Sequence, residues 1–378
     1  MKVAFHIDQL WFDAPGGIGT YVRELAFGAL EHEDPALELT PFHARWGRAP
    51  HGPIPLTTDG TLGVELAGSI RRLYPSWDRF GRPRLPASLD DCDVVHATNH
   101  AAVPPVRKGQ RLVVTVHDLA FERFPELFPR MWRRLYRWGT RAAVDRADAI
   151  LVPSESTRSD LMDAFHADAA RIHITPLASS LESPGADELP QMREDLADHG
   201  VRPPYILAVG TIEPRKNLVR LVRAFRTLRS EGLPHSLVIA GPQGAGSEEL
   251  RAELARGESD GVIVTGGIDL RCAYLDADVV AYVSLYEGFG LPVIEAMGMG
   301  APVVASNVSS IPEVAGDAAV FVDPTDEAAI ADGLRRVLTD TALADDLRRR
   351  GRERAASFTW AATARATLDV YRQVTGAS

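Results

Sequence analysis

Apolar positions along this chain follow two alternating rhythms. Short unbroken apolar runs alternate with longer segments in which apolar residues return every three or four positions. The first rhythm predicts strands buried on both faces and the second predicts amphipathic helices. Their alternation predicts parallel sheets covered by helices on both sides. In the first part strands are expected at Lys2–Ile7, Leu37–Phe42, Val94–Ala97, Leu112–Val116, Ala149–Val152 and Arg171–Thr175. Helices are expected at Gly19–Leu30, Pro129–Asp145 and Glu155–Phe165, the last N-capped by Ser154. A stretch rich in Pro, Gly, Ser and Glu, Ala178–Pro190, interrupts the pattern, which restarts after Pro203-Pro204. Strands then follow at Tyr205–Val209, Ser236–Ala240, Val262–Thr265, Val279–Ser284, Pro302–Ala305 and Ala319–Val322. Helices are expected at Leu218–Ser230, Glu327–Leu338, Leu343–Ser357 and Trp360–Val374.

The fold class expected is α/β, with two doubly wound parallel-sheet domains over 1–180 and 203–359 and a linker over 181–202. A length of 378 residues suits two cores better than one. Sheets of this kind bind ligands beyond the carboxyl ends of their strands, so a cleft is expected there. One stretch organises the reading: Tyr286–Pro302 joins the strand Val279–Ser284 to an amphipathic helix of two to three turns. Glu287 and Glu295 bracket the junction with seven residues between them. Gly288 and Gly290 permit unusual dihedrals and leave amides uncovered, and the helix start favours an anion. The carboxylates on either side can accept from hydroxyls, and an anion flanked by hydroxyls describes a nucleotide sugar.

Composition narrows the classes. The net charge of −10 argues against a nucleic-acid partner. Residues 1–180 are nearly neutral, with 21 basic against 22 acidic side chains, and the remainder carries the acidic excess. Two cysteines, Cys92 and Cys272, offer no disulfide or metal framework and suit a reducing, cytoplasmic setting. Met1–Trp11 reads as a strand rather than a signal peptide, and no apolar run is long enough to span a membrane.

Other candidates follow predicted strands. The loop Gly16-Gly17-Ile18-Gly19 suits close approach of a phosphate, but Val22 stands where a dinucleotide fingerprint needs glycine. His117, at the end of a strand, suits a hydrogen bond with a sugar hydroxyl, or a structural role. His96 and His100, four apart at a strand end and loop, make a poor metal pair. Arg215 and Lys216, in Gly210–Asn217, can neutralise a diphosphate leaving group; a solvated basic turn is the plainer reading. Asp91-Cys92-Asp93 and Asp276-Ala277-Asp278 precede strands, away from the cleft, and read as capping or solvated carboxylates. No P-loop and no Gly-x-Ser-x-Gly elbow occur. Phe124–Arg141 interleaves Arg130, Arg133, Arg134, Arg137 and Arg141 with Trp132, Tyr136 and Trp138. This surface suits anionic lipid or a charged acceptor, or simple packing on the sheet. Arg71–Arg82 is a second basic-aromatic stretch, expected as a loop.

Together these residues resemble the family 4 glycosyltransferases, retaining enzymes of the GT-B fold, and the mannosyltransferase-like subgroup most. The resemblance rests on GGIGTYVREL near the start, HDL at 117–119, PSESTRSDL at 153–161, VGTIEPRKN at 209–217, TGG at 265–267 and YEGFGLPVIEAMGMGAPVVAS at 286–306. It implies two Rossmann-like domains facing across a cleft, the first binding the acceptor, the second the donor, with a C-terminal helix at 360–378 crossing back to the first. It implies that Arg215 and Lys216 bind the donor diphosphate, and that Glu287 and His117 contact the transferred hexose. The amides of Phe289, Gly290 and Leu291 would meet sugar and phosphate, Glu295 the ribose hydroxyls, Gly17 (with Gly16) the phosphates, and Ile268 the base. Thr211 stands where several relatives have arginine, which throws more of the neutralisation onto Arg215 and Lys216. His96, Arg133, Arg134 and Arg137 are the candidates for the acceptor or membrane side.

The implied reaction transfers a hexose from a nucleoside diphosphate sugar to a hydroxyl of a saccharide or lipid-linked acceptor. It proceeds with retention, by a front-face route, and needs no metal or other cofactor. Domain closure would exclude water. GDP-mannose is the first donor expected, ahead of UDP-glucose and dTDP-rhamnose, in cell-envelope polysaccharide synthesis on the cytoplasmic membrane face. A non-hydrolysing nucleotide-sugar 2-epimerase and a non-catalytic sugar-binding module are the rivals.

Overall fold

The computed structural model describes residues 1–13, 15–51, 62–257 and 261–376. It comprises two compact units, Met1–Leu177 with Thr359–Ser378, and Ala178–Phe358. In the first, β1 (Lys2–His6), β2 (Glu38–His43), β3 (Val64–Glu65), β4 (Val94–Ala97), β5 (Arg111–Thr115), β6 (Ala149–Val152) and β7 (Ile172–Ile174) form one parallel sheet in the order β3-β2-β1-β4-β5-β6-β7. In the second, β8 (Tyr205–Val209), β9 (Ser236–Ala240), β10 (Val262–Thr265), β11 (Val279–Tyr282), β12 (Val303–Ser306) and β13 (Ala319–Val322) run parallel in the order β10-β9-β8-β11-β12-β13. Both sheets are doubly wound. The central strands are mostly apolar because helices cover both faces and leave no wet side, with His6, His96 and Thr115 as buried polar exceptions in the first unit.

Strand order decides where chemistry can sit. In the second unit the chain winds outward from β8 through β9 to β10, then returns to place β11 against the other edge of β8. The loops leaving β8 and β11 therefore diverge to opposite faces, and the gap between them is the topological switch point. Gly210–Asn217 follows β8 and Val283–Gly290 follows β11, so both candidate loops open there. In the first unit the corresponding gap lies between β1 and β4.

Several elements depart from the sequence pattern. The stretch expected as a loop around residues 71–82 is instead the helix Ile70–Phe80, despite Pro75 in its interior. Tyr74 and Trp77 fall on its inner face and are buried, and their burial outweighs the lost backbone hydrogen bond. The glycines at 16–19 lie in the first turn of a helix that begins at Gly16, earlier than the pattern predicts. That helix ends at Glu24 in a wider turn over Leu25–Ala29, where Phe27 leaves helical dihedrals, before Leu30–Glu33 completes it. Within the expected linker stands the helix Leu189–Asp198, which buries Met192 and Leu196. Its Arg193 forms a bidentate pair with Asp276, both contacts at 2.7 Å.

The helix Trp360–Thr375 belongs to the first unit, and residues 377–378 lie outside the described residues. A buried polar chain fastens it. The Tyr371 hydroxyl lies 2.6 Å from His96 Nδ1, and His96 Nε2 lies 2.8 Å from Thr115 Oγ1, which in turn meets the Tyr21 hydroxyl at 2.9 Å. Burial lowers the His96 pKa to about 3, so the ring is neutral. Replacing Tyr371 by Phe strips one ring nitrogen of its partner and should cost about 1–2 kcal/mol. An unchanged urea midpoint for Tyr371→Phe would show that the His96–Tyr371 hydrogen bond does not help to dock the helix.

Candidate active site

The loop after β8 turns tightly at Pro214–Lys216, and Asn217 adopts a left-handed conformation (φ 61°) before the helix Leu218–Ser230. The Asn217 amide donates to the carbonyls of Val283 and Pro324 and stitches this turn to the strand beside it. The stitching brings Arg215 and Lys216 against the loop after β11. Arg215 Nη1 lies 2.7 Å from Glu287 Oε2 and donates to the Tyr286 carbonyl at 2.7 Å. Its Nη2 donates to Glu213 Oε1 at 2.6 Å. Lys216 Nζ donates to Glu287 Oε1 at 2.6 Å and to the Tyr282 hydroxyl at 2.9 Å. Each oxygen of one carboxylate thus faces one cation.

Burial alone would push the Glu287 carboxyl up. The charges of Arg215 and Lys216 outweigh it and hold the pKa down at about 2. Lys216 is lowered, first by burial and further by the neighbouring Arg215 charge. At neutral pH the cluster is two cations on one carboxylate, with a further carboxylate, Glu213, on the outer side of Arg215. A dianionic diphosphate arriving here meets cations already held in place, at no cost of gathering them.

The second half of the site is the helix Leu291–Met299. It starts at Gly290, whose φ of +106° is denied to other residues and whose absent Cβ would lie 2.8 Å from Ile311 Cδ1. Among the described residues the amides of Phe289, Gly290 and Leu291 donate to no protein group. They lie at the positive end of a nine-residue helix. Glu295, one turn in, is half-buried and accepts from the Tyr274 hydroxyl at 3.0 Å. Burial raises its pKa. A carboxylate in this position gains most from hydroxyl donors.

The remaining candidates are placed as follows. Thr211 is half-buried in the turn after β8, and Ile268 is half-buried just before Asp269, which caps the helix Leu270–Leu275 through the Arg271 amide. Gly16 and Gly17 are exposed in the first unit. His117 Nε2 lies 2.8 Å from the Thr98 carbonyl. A carbonyl only accepts, so Nε2 carries the proton, and with burial lowering the pKa the ring stays neutral. Nδ1 is then a lone pair able to accept from a hydroxyl. His96 is a correction: expected on the acceptor side, it is fully buried with both nitrogens engaged, because its strand is covered on both faces. Arg133, Arg134 and Arg137 lie on the helix Arg130–Arg146, with Arg134 over Trp138 and Arg137 against Glu122. Both Asp-x-Asp tripeptides are engaged structurally: Asp91 pairs with Lys2, Asp93 accepts the Lys2 amide, Asp276 holds Arg193 and Asp278 accepts the Tyr205 amide.

Sequence reasoning missed Tyr274, Tyr282, Glu213 and Asn217. Tyr282, the last residue of β11, carried a usable signal: a polar tip at the carboxyl end of a central strand. Tyr274 carried none, since its contact spans 21 positions.

Glu287→Gln should lower stability by about 3 kcal/mol at pH 7, since it leaves Lys216 without its anion and Arg215 with Glu213 alone. The Glu287 pKa falls from 4.5 to about 2 on folding, so its stabilisation is complete above pH 4.5 and is lost as pH drops towards 2. Urea titrations of both proteins across that range should converge at the acid end. Equal midpoints at pH 7 would show that the cations do not depend on Glu287.

Two family models match: Glycosyltransferase Family 4 over residues 15–182 and Glycosyl transferases group 1 over residues 192–354. The O-antigen chain mannosyltransferase B of Escherichia coli is 36% identical over 273 residues, covering 70% of each chain. The MMP alpha-(1->4)-mannosyltransferase of Mycolicibacterium hassiacum is 29% identical over 95% of each. The serotype-specific mannosyltransferase WbdA of Escherichia coli is 31% identical over 62% of this chain, a match spanning 30% of its own length. Among solved structures, sucrose-phosphate synthase from Thermosynechococcus elongatus superposes over the whole of both chains with a TM-score of 0.76 at 22% identity. WaaG, a glycosyltransferase involved in lipopolysaccharide biosynthesis, superposes over 97% of this chain and 99% of its own, with a TM-score of 0.67 at 17% identity. Anabaena HepE in complex with UDP-glucose covers 100% and 98%, with a TM-score of 0.69 at 16% identity. This chain therefore belongs to glycosyltransferase family 4, as an enzyme of the GT-B fold in its mannosyltransferase-like group.

Proposed function

We propose that the protein transfers mannose from GDP-mannose to a hydroxyl of a saccharide or glycolipid acceptor, with retention and without a metal ion. The observation that carries the reading is the pair Arg215 and Lys216, held by Glu287 beside the unpartnered amides of Phe289, Gly290 and Leu291. Two fixed positive charges and a helix start supply what a departing diphosphate needs, and no metal charge is required to complete the neutralisation. Glu287 and the His117 Nδ1 lone pair accept from sugar hydroxyls, Glu295 from ribose, and Ile268 packs on the base. Gly16, Gly17 and Thr211 contribute close backbone approach and hydrogen bonding to the donor. The carboxylate between the cations, Glu287, is committed to both of them and is poorly placed to act as a nucleophile; this favours front-face attack with the leaving phosphate as base. The mannosyl donor is supported by the named activities of the relatives. UDP- and dTDP-sugars remain the competing donors. Family membership argues against the 2-epimerase and binding-module readings.

Purified protein should release GDP from GDP-mannose in an acceptor-dependent manner, and equally well in EDTA. GDP at 100 times its dissociation constant should stabilise the chain by about 2.7 kcal/mol. A larger thermal shift with UDP or dTDP would replace the donor, and loss of turnover in EDTA would overturn metal independence.

The same reading includes the cytoplasmic face of the membrane as the place of work, in cell-envelope polysaccharide synthesis. Among the described residues no helix is long and apolar enough to cross a membrane. Met131 (79% exposed), Trp132 (36%) and Phe80 (68%) stand out to solvent on the helices Arg130–Arg146 and Ile70–Phe80. Arg130, Arg134 and Arg137 are exposed among them, with Arg133 partly so. Exposed apolar tips ringed by arginines suit an anionic bilayer surface. Vesicles containing phosphatidylglycerol should sediment the wild type, and a variant with Arg133, Arg134 and Arg137 changed to Glu should stay in the supernatant. Equal sedimentation would remove this helix from the proposal.

A further inference from the structure

The loop that carries Glu287 is gripped from outside by a dipeptide that no motif assigns. Ser309 and Ser310 lie between β12 and the short helix Ile311–Ala315. Ser309 Oγ accepts the Glu287 amide at 3.0 Å. Ser310 Oγ lies 2.9 Å from the Glu287 carbonyl and 2.8 Å from the Phe289 carbonyl, and Ser310 is fully buried. The next side chain, Ile311, presses on Gly290.

Two features mark this as more than packing. Ser309 holds a left-handed φ of 53°, a conformation that disfavours a side chain, in a place where glycine would sit without strain. Ser310 occupies the N-cap of its helix, where a serine hydroxyl ordinarily accepts from an amide of the first turn; here it makes no such bond. Its hydroxyl is turned instead towards the donor loop. The geometry of the peptide unit gives the consequence. Within a trans peptide the carbonyl and the following N–H point in opposite directions. Drawing the Phe289 carbonyl onto Ser310 therefore aims the Gly290 N–H away from Ser310, and among the described residues that N–H donates to no protein group.

We propose that Ser309 and Ser310 are positioning residues of the donor site. They hold the backbone of Glu287 between the two cations and aim the Gly290 amide at the diphosphate. This rests on the donor-site reading above, but it assigns to the hydroxyls a task that Arg215, Lys216 and Glu287 do not perform.

The discriminating variant is Ser309→Gly, which removes the hydroxyl while relieving the backbone. Relief of the left-handed backbone offsets the hydrogen bond lost by the Glu287 amide, and a residue serving only the fold would leave nucleotide binding and turnover unchanged. We expect a melting temperature equal to or above that of the wild type. With it should come a loss in kcat of about tenfold to a hundredfold and weaker binding of the nucleoside diphosphate. Ser310→Ala should show the same loss in binding and turnover. The probe is whichever of GDP, UDP and dTDP the wild type binds, followed by calorimetric titration, with turnover measured on the matching mannosyl or glucosyl donor. Wild-type binding and turnover in both variants would overturn the assignment and leave the donor site standing. A wild type that binds none of the three nucleotides would overturn the donor site itself, and this inference with it.

Discussion

A single buried carboxylate organises the second unit's chemistry. Glu287 takes Arg215 on one oxygen and Lys216 on the other, and by doing so joins the loops that leave the two strands flanking the switch point. Without it the two cations would repel each other in a poorly hydrated corner, while Asn217 would still tie their turn to the strand beside it. The arrangement explains how a site can hold concentrated positive charge in the acidic part of the chain. The charge is stored as an ion cluster that a diphosphate can join.

If the cluster binds the donor as proposed, the groups around it would divide the work by chemistry. Backbone amides at the start of Leu291–Met299 supply direction, because their orientation is set by the chain and not by rotamers. Arginine and lysine supply charge. Glu295, raised by burial and bonded by one phenol, is held in a state that additional hydroxyl donors would relieve. In the first unit His117 is reduced to one tautomer by the Thr98 carbonyl, which turns an ambiguous residue into a hydrogen-bond acceptor. These are separate devices, and each can be altered without dismantling the others.

Much of the fold was legible in the periodicity. Unbroken apolar runs such as Val279–Tyr282 can be buried on both faces only inside a covered parallel sheet, and strands such as Tyr205–Val209 and Ser236–Ala240 were readable residue by residue. Where the reading failed, the cause was tertiary. Residues 71–82 look like a loop because proline and clustered arginines dominate the local pattern, while the burial of Tyr74 and Trp77 that stabilises the helix depends on distant parts of the chain. His96 looks like a site residue because it ends a strand, and only the returning helix Trp360–Thr375 with its Tyr371 shows it to be a buried anchor.

The sequence by itself determined the parallel α/β class, the glycine-punctuated turn before Leu291–Met299 and the residue types of a candidate anion site: Arg215, Lys216, Glu287 and Glu295. Those follow from local rules, since periodicity, turn chemistry and charge are properties of neighbouring positions. The tertiary structure alone decided the partnerships. Glu287 meets cations 71 and 72 positions away, Tyr274 meets Glu295, and Ser309 and Ser310 reach back more than 20 positions to hold the Glu287 loop. Hydrogen bonds and ion pairs act over a few ångströms in space and carry no trace of sequence separation, so no local pattern can announce them.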